Sequence, residues 1–381
     1  MTPPPDHFIQ TPEALKDVVA RFRRAPLVAA DTEAASFHRY RDRIYLIQLS
    51  AGTETAVVDP LAVTDLGPIG ALLADPQVEK IFHDADYDLR ILDRDYGFHA
   101  KHLFDTRVAA QLAGEPAIGL ASLLEKYAGV KLSKAHQKAD WSQRPLPPGM
   151  LEYAAADTRH LPELRRALRA RLEQLGRLAW AQEEFLRLEG LRWTGPGEDD
   201  SDAYLRVKRA KTLAPRQLAG LRELFNWREA VAEKEDKAPF RIVGPDVLLA
   251  VAKALPDSPD ALMRVRELPA SLARRYGPDL VDAARRARAV AERDLPQLER
   301  THRAPKDPGF DEAVERLKAA RTRVAEKLGL DPGVLCGRTT LEAVARAKPA
   351  NRAGLLQVPE LRRWQVEVLG DDLLAALKPR P

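Results

Sequence analysis

The first informative stretch of the chain is Leu27-Val28-Ala29-Ala30-Asp31-Thr32-Glu33, an apolar run that ends in two acids. Such a run is typical of a buried β-strand. Three similar runs follow, at residues 43–49, 55–59 and 78–83. The runs at 27–33, 43–49 and 55–59 follow one another so closely that no helix fits between them. We therefore predict that the first three strands form an antiparallel meander. Helical patterns begin at Asp86, Thr106, Leu120 and Pro148, so this part of the chain is predicted to be an α/β sheet domain.

Asp31 and Glu33 are two residues apart, which places both carboxylates on the same face of a strand. Adjacent carboxylates that are partly buried repel each other unless a cation holds them. Only oxygen ligands are available at this position, so the implied ion is Mg²⁺ or Mn²⁺. The alternative is an ordinary pair of acids that faces water at the end of a strand, and the motif alone leaves this open.

Two further acidic segments follow, His83-Asp84-Ala85-Asp86-Tyr87-Asp88 and Tyr153-Ala154-Ala155-Ala156-Asp157. Asp84 or Asp86 is predicted to cap the helix that begins there, which leaves Asp88 as the better candidate for a metal ligand. Tyr153 and Asp157 are four residues apart and project from one face of a helix. Taken alone, they could be a core tyrosine beside a surface acid. Together, the four acids could hold two divalent cations roughly 4 Å apart, and such a pair activates a water and stabilises the leaving oxygen of a phosphodiester.

The second half of the chain contains an internal repeat. Val231-Ala232-Glu233-Lys234 recurs 93 residues later as Val324-Ala325-Glu326-Lys327, and Ala250-Val251-Ala252 recurs at the same offset as Ala343-Val344-Ala345. No convincing strand is found there, so we predict two all-helical copies of about 80 to 90 residues. A glycine-, proline- and acid-rich segment at 195–200 marks the predicted boundary before them, and residues 305–309 are the predicted linker between them.

The composition excludes several classes of protein. Hydrophobic residues make up 45% and charged residues 30% of the 381 residues, a balance that is typical of a globular chain and not of a disordered one. No apolar run approaches the roughly 18 residues that span a bilayer. The N-terminus lacks the basic and apolar segments of a secretory signal, so the protein is expected in the cytoplasm. Cys336 is the only cysteine, which excludes a thiolate zinc site and an internal disulfide.

The charge is divided unevenly along the chain. Residues 201–381 carry 35 basic and 26 acidic side chains, a net charge of +9, whereas the first 200 residues carry 25 and 30, a net charge of −5. An acidic front half and a basic back half fit a metal-dependent site followed by modules that bind nucleic acid. Arginine-rich helices that merely face water are the alternative. No phosphate-binding loop of the Gly-x-x-x-x-Gly-Lys type occurs, so no nucleotide cofactor is expected.

The acidic motifs resemble those of the DEDD 3′–5′ exonucleases, in the subclass whose third motif carries Tyr. Four further segments, namely Leu46-Ile47-Gln48-Leu49, Phe104-Asp105-Thr106, Ala139-Asp140-Trp141-Ser142 and the residues around Asp157, resemble the ribonuclease D family, and the repeated modules resemble its HRDC domains. Asp84 departs from the pattern, because a small residue is expected there. If its side chain points towards the site it could alter metal affinity; if it caps the helix it would not.

The resemblance implies an α/β RNase H-like exonuclease domain, predicted at 1–195, followed by two all-α HRDC-like domains, predicted at 204–292 and 303–381. It also implies roles for the site residues. Asp31 would bridge two divalent cations, Glu33 and Asp157 would complete the site of the nucleophilic water, and Asp88 would serve the second cation. Tyr153 would orient the attacking water.

The hypothesis favoured by these observations is a metal-dependent 3′–5′ exoribonuclease that trims tRNA precursors and other small structured RNAs. Two alternatives remain from the residues. One is a 3′–5′ exonuclease that acts on DNA, because the same carboxylates cleave either backbone and the contacts to the 2′-hydroxyl are not located. The other is an RNA-binding scaffold without activity.

Overall fold

The computed structural model describes residues 6–133, 135–195, 200–298 and 308–378. Most of the predicted boundary at 195–200 and of the predicted linker at 305–309 lies outside these residues. The chain divides into two compact units. The first comprises Met1–Ala34, Ile44–Trp193 and Ala304–Pro381, and the second comprises Ala35–Arg43 and Thr194–Arg303.

The first unit contains a mixed six-stranded sheet with the strand order β1-β4-β3-β2-β5-β6. Its strands are β1 (His7–Ile9), β2 (Leu27–Ala34), β3 (Ile44–Ala51), β4 (Glu54–Val58), β5 (Glu79–Phe82) and β6 (Leu103–Asp105). The antiparallel pairs β2–β3 and β3–β4 confirm the predicted meander. All eight residues of β3 are buried, so both faces of the sheet are covered at its centre.

Eight helices accompany the sheet within the described residues of this part of the chain. They are α1 (Pro12–Phe22), α2 (Gly67–Ala74), α3 (Asp86–Tyr96), α4 (Thr106–Ala113), α5 (Leu120–Ala128), α6 (Pro148–Arg159), α7 (Leu161–Gln174) and α8 (Leu178–Glu189). The starts of α3, α4, α5 and α6 agree with the sequence prediction. Left-handed glycines end three of these helices, at Gly97, Gly114 and Gly129, because glycine adopts this conformation without a steric penalty.

The internal repeat is present as two helical modules. The first module comprises α9 (Pro215–Glu235), α10 (Pro239–Ile242), α11 (Pro245–Ala254), α12 (Pro259–Met263) and α13 (Ala270–Ala289). The second comprises α14 (Pro308–Leu328), α15 (Pro332–Leu335), α16 (Arg338–Ala347), α17 (Arg352–Leu355) and α18 (Arg363–Leu377). Each helix of the second module begins 93 residues after its counterpart, which is the offset found in the sequence.

The second helical module packs directly against the α/β part of the first unit. Trp180 of α8 stacks on Trp364 of α18 with ring centroids 5.0 Å apart. Arg177 is buried and donates hydrogen bonds to the carbonyl oxygens of Leu112 (2.9 Å) and Leu328 (2.6 Å). A carbonyl bound by a buried guanidinium is a strong contact. One hydrophobic core therefore continues from the sheet and its helices into the second module.

The first helical module lies in the second unit, where residues 35–43 pack on it. The backbone N–H of Ala238 donates to the carbonyl of His38 (3.3 Å), and Arg39 forms an ion pair with Asp236 (3.4 Å). Phe37 and Phe240 meet edge to face with centroids 6.1 Å apart. The segment that follows β2 is thus held by this module. Among the described residues, no helix is both long and apolar enough to cross a membrane.

Candidate active site

The carboxylates of β2 lie on the sheet face that α6 covers. In the β2–β3 register, Asp31 is opposite Gln48 and Ala29 is opposite Ser50. Paired residues on adjacent strands project from the same face. The Ser50 hydroxyl is 2.8 Å from the hydroxyl of Thr158 in α6, which fixes the end of this helix on the sheet. Ala154, Ala155 and Ala156 are buried and small, so α6 can approach the strands closely.

This arrangement brings together three of the four predicted acids. One carboxylate oxygen from each of Asp31, Glu33 and Asp157 lies within 4.8 Å of the other two. All three side chains are partly buried. Two of them come from the end of β2 and the third comes from α6, so residues 126 positions apart in the sequence form one cluster.

Asp88, the fourth acid, lies beside this cluster but is held separately. It is 7% exposed and accepts a hydrogen bond from the hydroxyl of Thr32, the residue between the two acids of β2. Its charge still contributes to the raised pKa values of Asp31 and Glu33. Thr32 therefore ties the start of α3 to the strand that carries Asp31 and Glu33. The sequence prediction gave Thr32 no role, because the partner of a hydroxyl on a strand cannot be read from local sequence.

The cap of α3 differs from the prediction. Neither Asp84 nor Asp86 caps this helix. Its N-cap residue is Ala85, whose side chain cannot accept a hydrogen bond from the helix N–H groups. The carboxylate of Asp105, at the end of β6, accepts the N–H groups of Asp84 (3.3 Å) and Ala85 (2.7 Å) instead. The same carboxylate caps α4 by accepting the N–H of Arg107 (2.8 Å). Asp105 thus holds the N-termini of α3 and α4 together.

Asp84 does not join the carboxylate cluster. It has a left-handed backbone conformation with φ of 68°, and its exposed side chain forms an ion pair with Arg107. The guanidinium of Arg107 offsets the charge that this residue adds. The proximity of Asp105 and Arg107 to Asp84 could not be predicted, because it depends on the parallel pairing of β5 with β6.

Tyr153 lies one turn before Asp157 on α6, next to two other rings. Its ring centroid is 6.0 Å from that of Trp141 and 5.8 Å from that of His136. Partial burial, followed by the charges of Asp157, Glu33 and Asp31, raises the pKa of Tyr153 well above its ordinary value. The hydroxyl therefore remains protonated near neutral pH and acts as a hydrogen-bonding group.

A buried ion pair holds the loop that carries Trp141. The guanidinium of Arg144 donates to both carboxylate oxygens of Asp59, at 2.7 and 2.8 Å, and Asp59 is 2% exposed. Arg144 also donates to the carbonyls of Trp141 (2.9 Å) and Tyr45 (3.0 Å). Trp141 is only 1% exposed, so its ring is held in place where it packs against the ring of Tyr153. Sequence reasoning missed Arg144, since its partners lie 85 and 99 positions away.

The electrostatics of the cluster favour a divalent cation. Burial, followed by the charges of the neighbouring acids, raises the pKa of Asp31 and of Glu33 well above their ordinary values. Burial raises the pKa of Asp88 and of Asp157 to about 7. Four acids so close together cannot all ionise near neutral pH without a positive charge between them. Carboxylate oxygens are the ligands that Mg²⁺ and Mn²⁺ prefer, so the donor set fits such a cation.

Comparisons with known proteins agree with the motifs. A family model described as a 3′–5′ exonuclease matches residues 7–173, and an HRDC domain model matches residues 217–283 and 310–377. Ribonuclease D of Gluconacetobacter diazotrophicus is 34% identical over 97% of this chain and 92% of its own length. Ribonuclease D of Escherichia coli is 31% identical over 98% of this chain and 99% of its own length.

Solved structures give the same result. The crystal structure of Escherichia coli RNase D, described as an exoribonuclease involved in structured RNA processing, has a TM-score of 0.69 at 29% identity, and the match covers 97% of this chain and 98% of that one. A protein from Bifidobacterium adolescentis has a TM-score of 0.82 at 26% identity, with 98% of both chains covered. An α/β exonuclease domain followed by two HRDC domains is therefore confirmed. The chain belongs to the ribonuclease D family of 3′–5′ exoribonucleases.

Proposed function

We propose that this exoribonuclease hydrolyses the 3′-terminal phosphodiester of RNA with two divalent cations, Mg²⁺ or Mn²⁺, bound by Asp31, Glu33, Asp88 and Asp157. The observation that supports this most strongly is the cluster of three carboxylate oxygens within 4.8 Å, with Asp88 beside it. When bound, such cations lower the pKa of the attacking water and stabilise the leaving oxygen.

The four acids have different positions and would therefore have different tasks. Asp31 has the other three acids as its electrostatic neighbours, which suits a ligand that is shared between both cations. Glu33 and Asp157 would complete the site on the side of the attacking water. Asp88 would serve the second cation, directly or through water, while Thr32 keeps its carboxylate in place.

Tyr153 is the proposed orienting group for the attacking water. It belongs to the same helix as Asp157, and its raised pKa keeps the hydroxyl protonated near neutral pH, so that no phenolate is present to accept a proton. A protonated hydroxyl can still hold the water in line by a hydrogen bond. The packing of Trp141 and His136 around the ring limits the positions that this hydroxyl can take.

We further propose that the substrates are tRNA precursors and other small structured RNAs, and that the enzyme works in the cytoplasm. The description of the Escherichia coli relative as an enzyme of structured RNA processing supports this substrate class. The net charge of +9 on residues 201–381 supports a contribution of the HRDC domains to RNA binding. We propose that the exonuclease domain spans residues 1–195 and that the two HRDC-like domains span residues 204–292 and 303–381.

Digestion of end-labelled substrates tests this proposal. RNA and DNA of one sequence, each labelled at the 5′ end, are incubated with the full-length protein in Mg²⁺ or in EDTA. We expect a ladder of RNA fragments that shorten stepwise from the 3′ end, only with Mg²⁺. Equal digestion of DNA would favour a DNA exonuclease, and the absence of any digestion would indicate a scaffold that binds RNA without cleaving it.

A further inference from the structure

Gln48 is a polar side chain enclosed in the sheet directly beside the carboxylate cluster. It is 0% exposed and lies at the middle of β3. Its register partner on β2 is Asp31, the acid proposed to bridge both cations. Side chains of directly opposed residues project from the same face with Cβ atoms about 5 Å apart. The side chains of Gln48 and Asp31 are therefore neighbours on one face of the sheet.

Both polar atoms of this amide lack a hydrogen-bond partner among the described protein groups. Leaving a buried donor and a buried acceptor unpaired is costly, whereas an apolar side chain of the same shape would avoid the cost. Gln365 of α18 shows the ordinary arrangement for a buried glutamine. Its amide donates to the carbonyl of Leu335 (3.0 Å) and accepts the N–H of Arg362 (2.8 Å). Gln48 is thus not explained by the stability of the fold.

A neighbouring residue on β3 shows which helix covers the sheet face that carries Gln48. Two residues along β3, the hydroxyl of Ser50 is paired with Thr55 (2.9 Å) and with Thr158 (2.8 Å). These contacts place α6 over the strand, and Ala154, one turn before Thr158, is buried. Among the described residues, no side chain of this helix forms a hydrogen bond with the Gln48 amide. Asp31 is the acid that the strand register places opposite Gln48.

The carboxylate oxygens of Asp31 can accept a hydrogen bond from a neighbouring donor. One of its carboxylate oxygens lies within 4.8 Å of carboxylate oxygens of Glu33 and Asp157, so a donor beside it would offset part of this negative charge. Carboxylates that bind metals are usually held by a hydrogen bond from a second group, which fixes their orientation. An amide supplies such a donor without adding charge.

We infer that Gln48 is a positioning residue of the metal site, whose side-chain amide donates a hydrogen bond to the Asp31 carboxylate through one enclosed water and so holds this carboxylate in its metal-binding orientation. The inference rests on the proposed two-cation function. It assigns to Gln48 no contact with the RNA and no part in proton transfer.

The same Gln-to-Met substitution at two buried positions distinguishes a role in metal binding from a role in the stability of the fold. Gln48→Met removes an unpaired amide, and Gln365→Met removes a paired one. Mn²⁺ binding to the full-length, RNA-free protein is measured by calorimetry, and Tm is measured in EDTA. For Gln48→Met we expect Mn²⁺ affinity to fall about 10- to 100-fold, with Tm equal to or above that of the parent. For Gln365→Met we expect a lower Tm and the Mn²⁺ affinity of the parent.

Kinetics add an independent readout. Because Gln48 does not touch RNA in this account, Gln48→Met should lower kcat at fixed Mg²⁺ and leave the KM for RNA within about twofold. High Mg²⁺ should restore part of the activity.

Each outcome decides the inference. Mn²⁺ affinity within twofold of the parent in Gln48→Met would overturn it and leave Gln48 as a buried space-filling residue. If the parent itself binds no Mn²⁺, the proposed function fails and the inference fails with it. Gln48→Leu serves as a second variant. If neither variant folds, the amide is needed for the fold, which contradicts the argument from its unpaired atoms.

Discussion

Replacing Asp31 with Asn should have opposite effects on stability in the absence and presence of divalent cations. In the metal-free protein, Asp31 lies within 4.8 Å of Glu33 and Asp157. Two full negative charges at that distance repel by about 3 kcal/mol at an effective dielectric constant of 20. Because the raised pKa values mean that the acids share protons near neutral pH, we expect about 1 to 2 kcal/mol to be recovered. Metal-free Asp31→Asn should then melt about 1 to 4 °C above the parent.

Saturating Mg²⁺ should reverse this order. A ligand that binds only the folded state adds about 2.7 kcal/mol at a concentration 100-fold above its Kd. The parent gains this stabilisation, whereas Asp31→Asn lacks the ligand shared by both cations and gains little. Hydrolysis should fall at least about 10³-fold, since several kcal/mol of transition-state stabilisation depend on the cations.

Thermal unfolding with EDTA and with Mg²⁺, together with single-turnover digestion of labelled RNA, measures both effects. Asp371→Asn is the matched control, because Asp371 forms an exposed ion pair with Arg352 in the second helical module. The control should keep the activity and the Mg²⁺-induced rise in Tm. The reasoning is refuted if Asp31→Asn retains activity within tenfold of the parent, or if Mg²⁺ raises its Tm as much as that of the parent.

Three further predictions concern the residues around the cluster. Tyr153→Phe should lower turnover about 10²- to 10⁴-fold with Mn²⁺ affinity unchanged, and full single-turnover activity would show that the hydroxyl has no role. Without metal, the Tm advantage of Asp157→Asn over the parent should grow from pH 5 to pH 8. The reason is that the pKa of Asp157 in the folded parent is about 7, above the ordinary carboxyl value, so its protonated form stabilises the parent at low pH and this stability is lost as the pH rises through 7. A Tm difference that does not change with pH would contradict the raised pKa. Arg144→Met should cost about 3 to 5 kcal/mol of unfolding free energy because Asp59 remains buried without its partner, and Arg144→Met combined with Asp59→Asn should recover part of it; no loss in the single variant would refute this.

Much of the fold was predictable because its signals are local. The starts of α3, α4, α5 and α6 coincide with the predicted positions, where helical periodicity begins. The repeat of 93 residues was found from short identical segments, and the structure places each helix of the second module at that offset. Strands β1 and β6 were not predicted, because each has only three residues, too few to show an alternation of apolar and polar side chains.

The candidate site shows where sequence reasoning stops. Spacing alone placed Asp31 and Glu33 on one strand face, and Tyr153 and Asp157 on one helix face. The cap of α3 was predicted wrongly, because its acceptor is Asp105, twenty residues away on another strand. The packing of the second module against α8 was also not foreseen, since a stack such as that of Trp180 on Trp364 leaves no local signal.

The central claim is that the carboxylate cluster holds two cations, with Asp31 between them. Anomalous diffraction from crystals of the full-length protein soaked in Mn²⁺ and a 3′-terminal nucleotide tests it most directly. The account predicts two anomalous peaks roughly 4 Å apart, both within bonding distance of Asp31, with Glu33 and Asp157 at one and Asp88 at the other, directly or through water. A single peak, or peaks that do not contact Asp31, would contradict it.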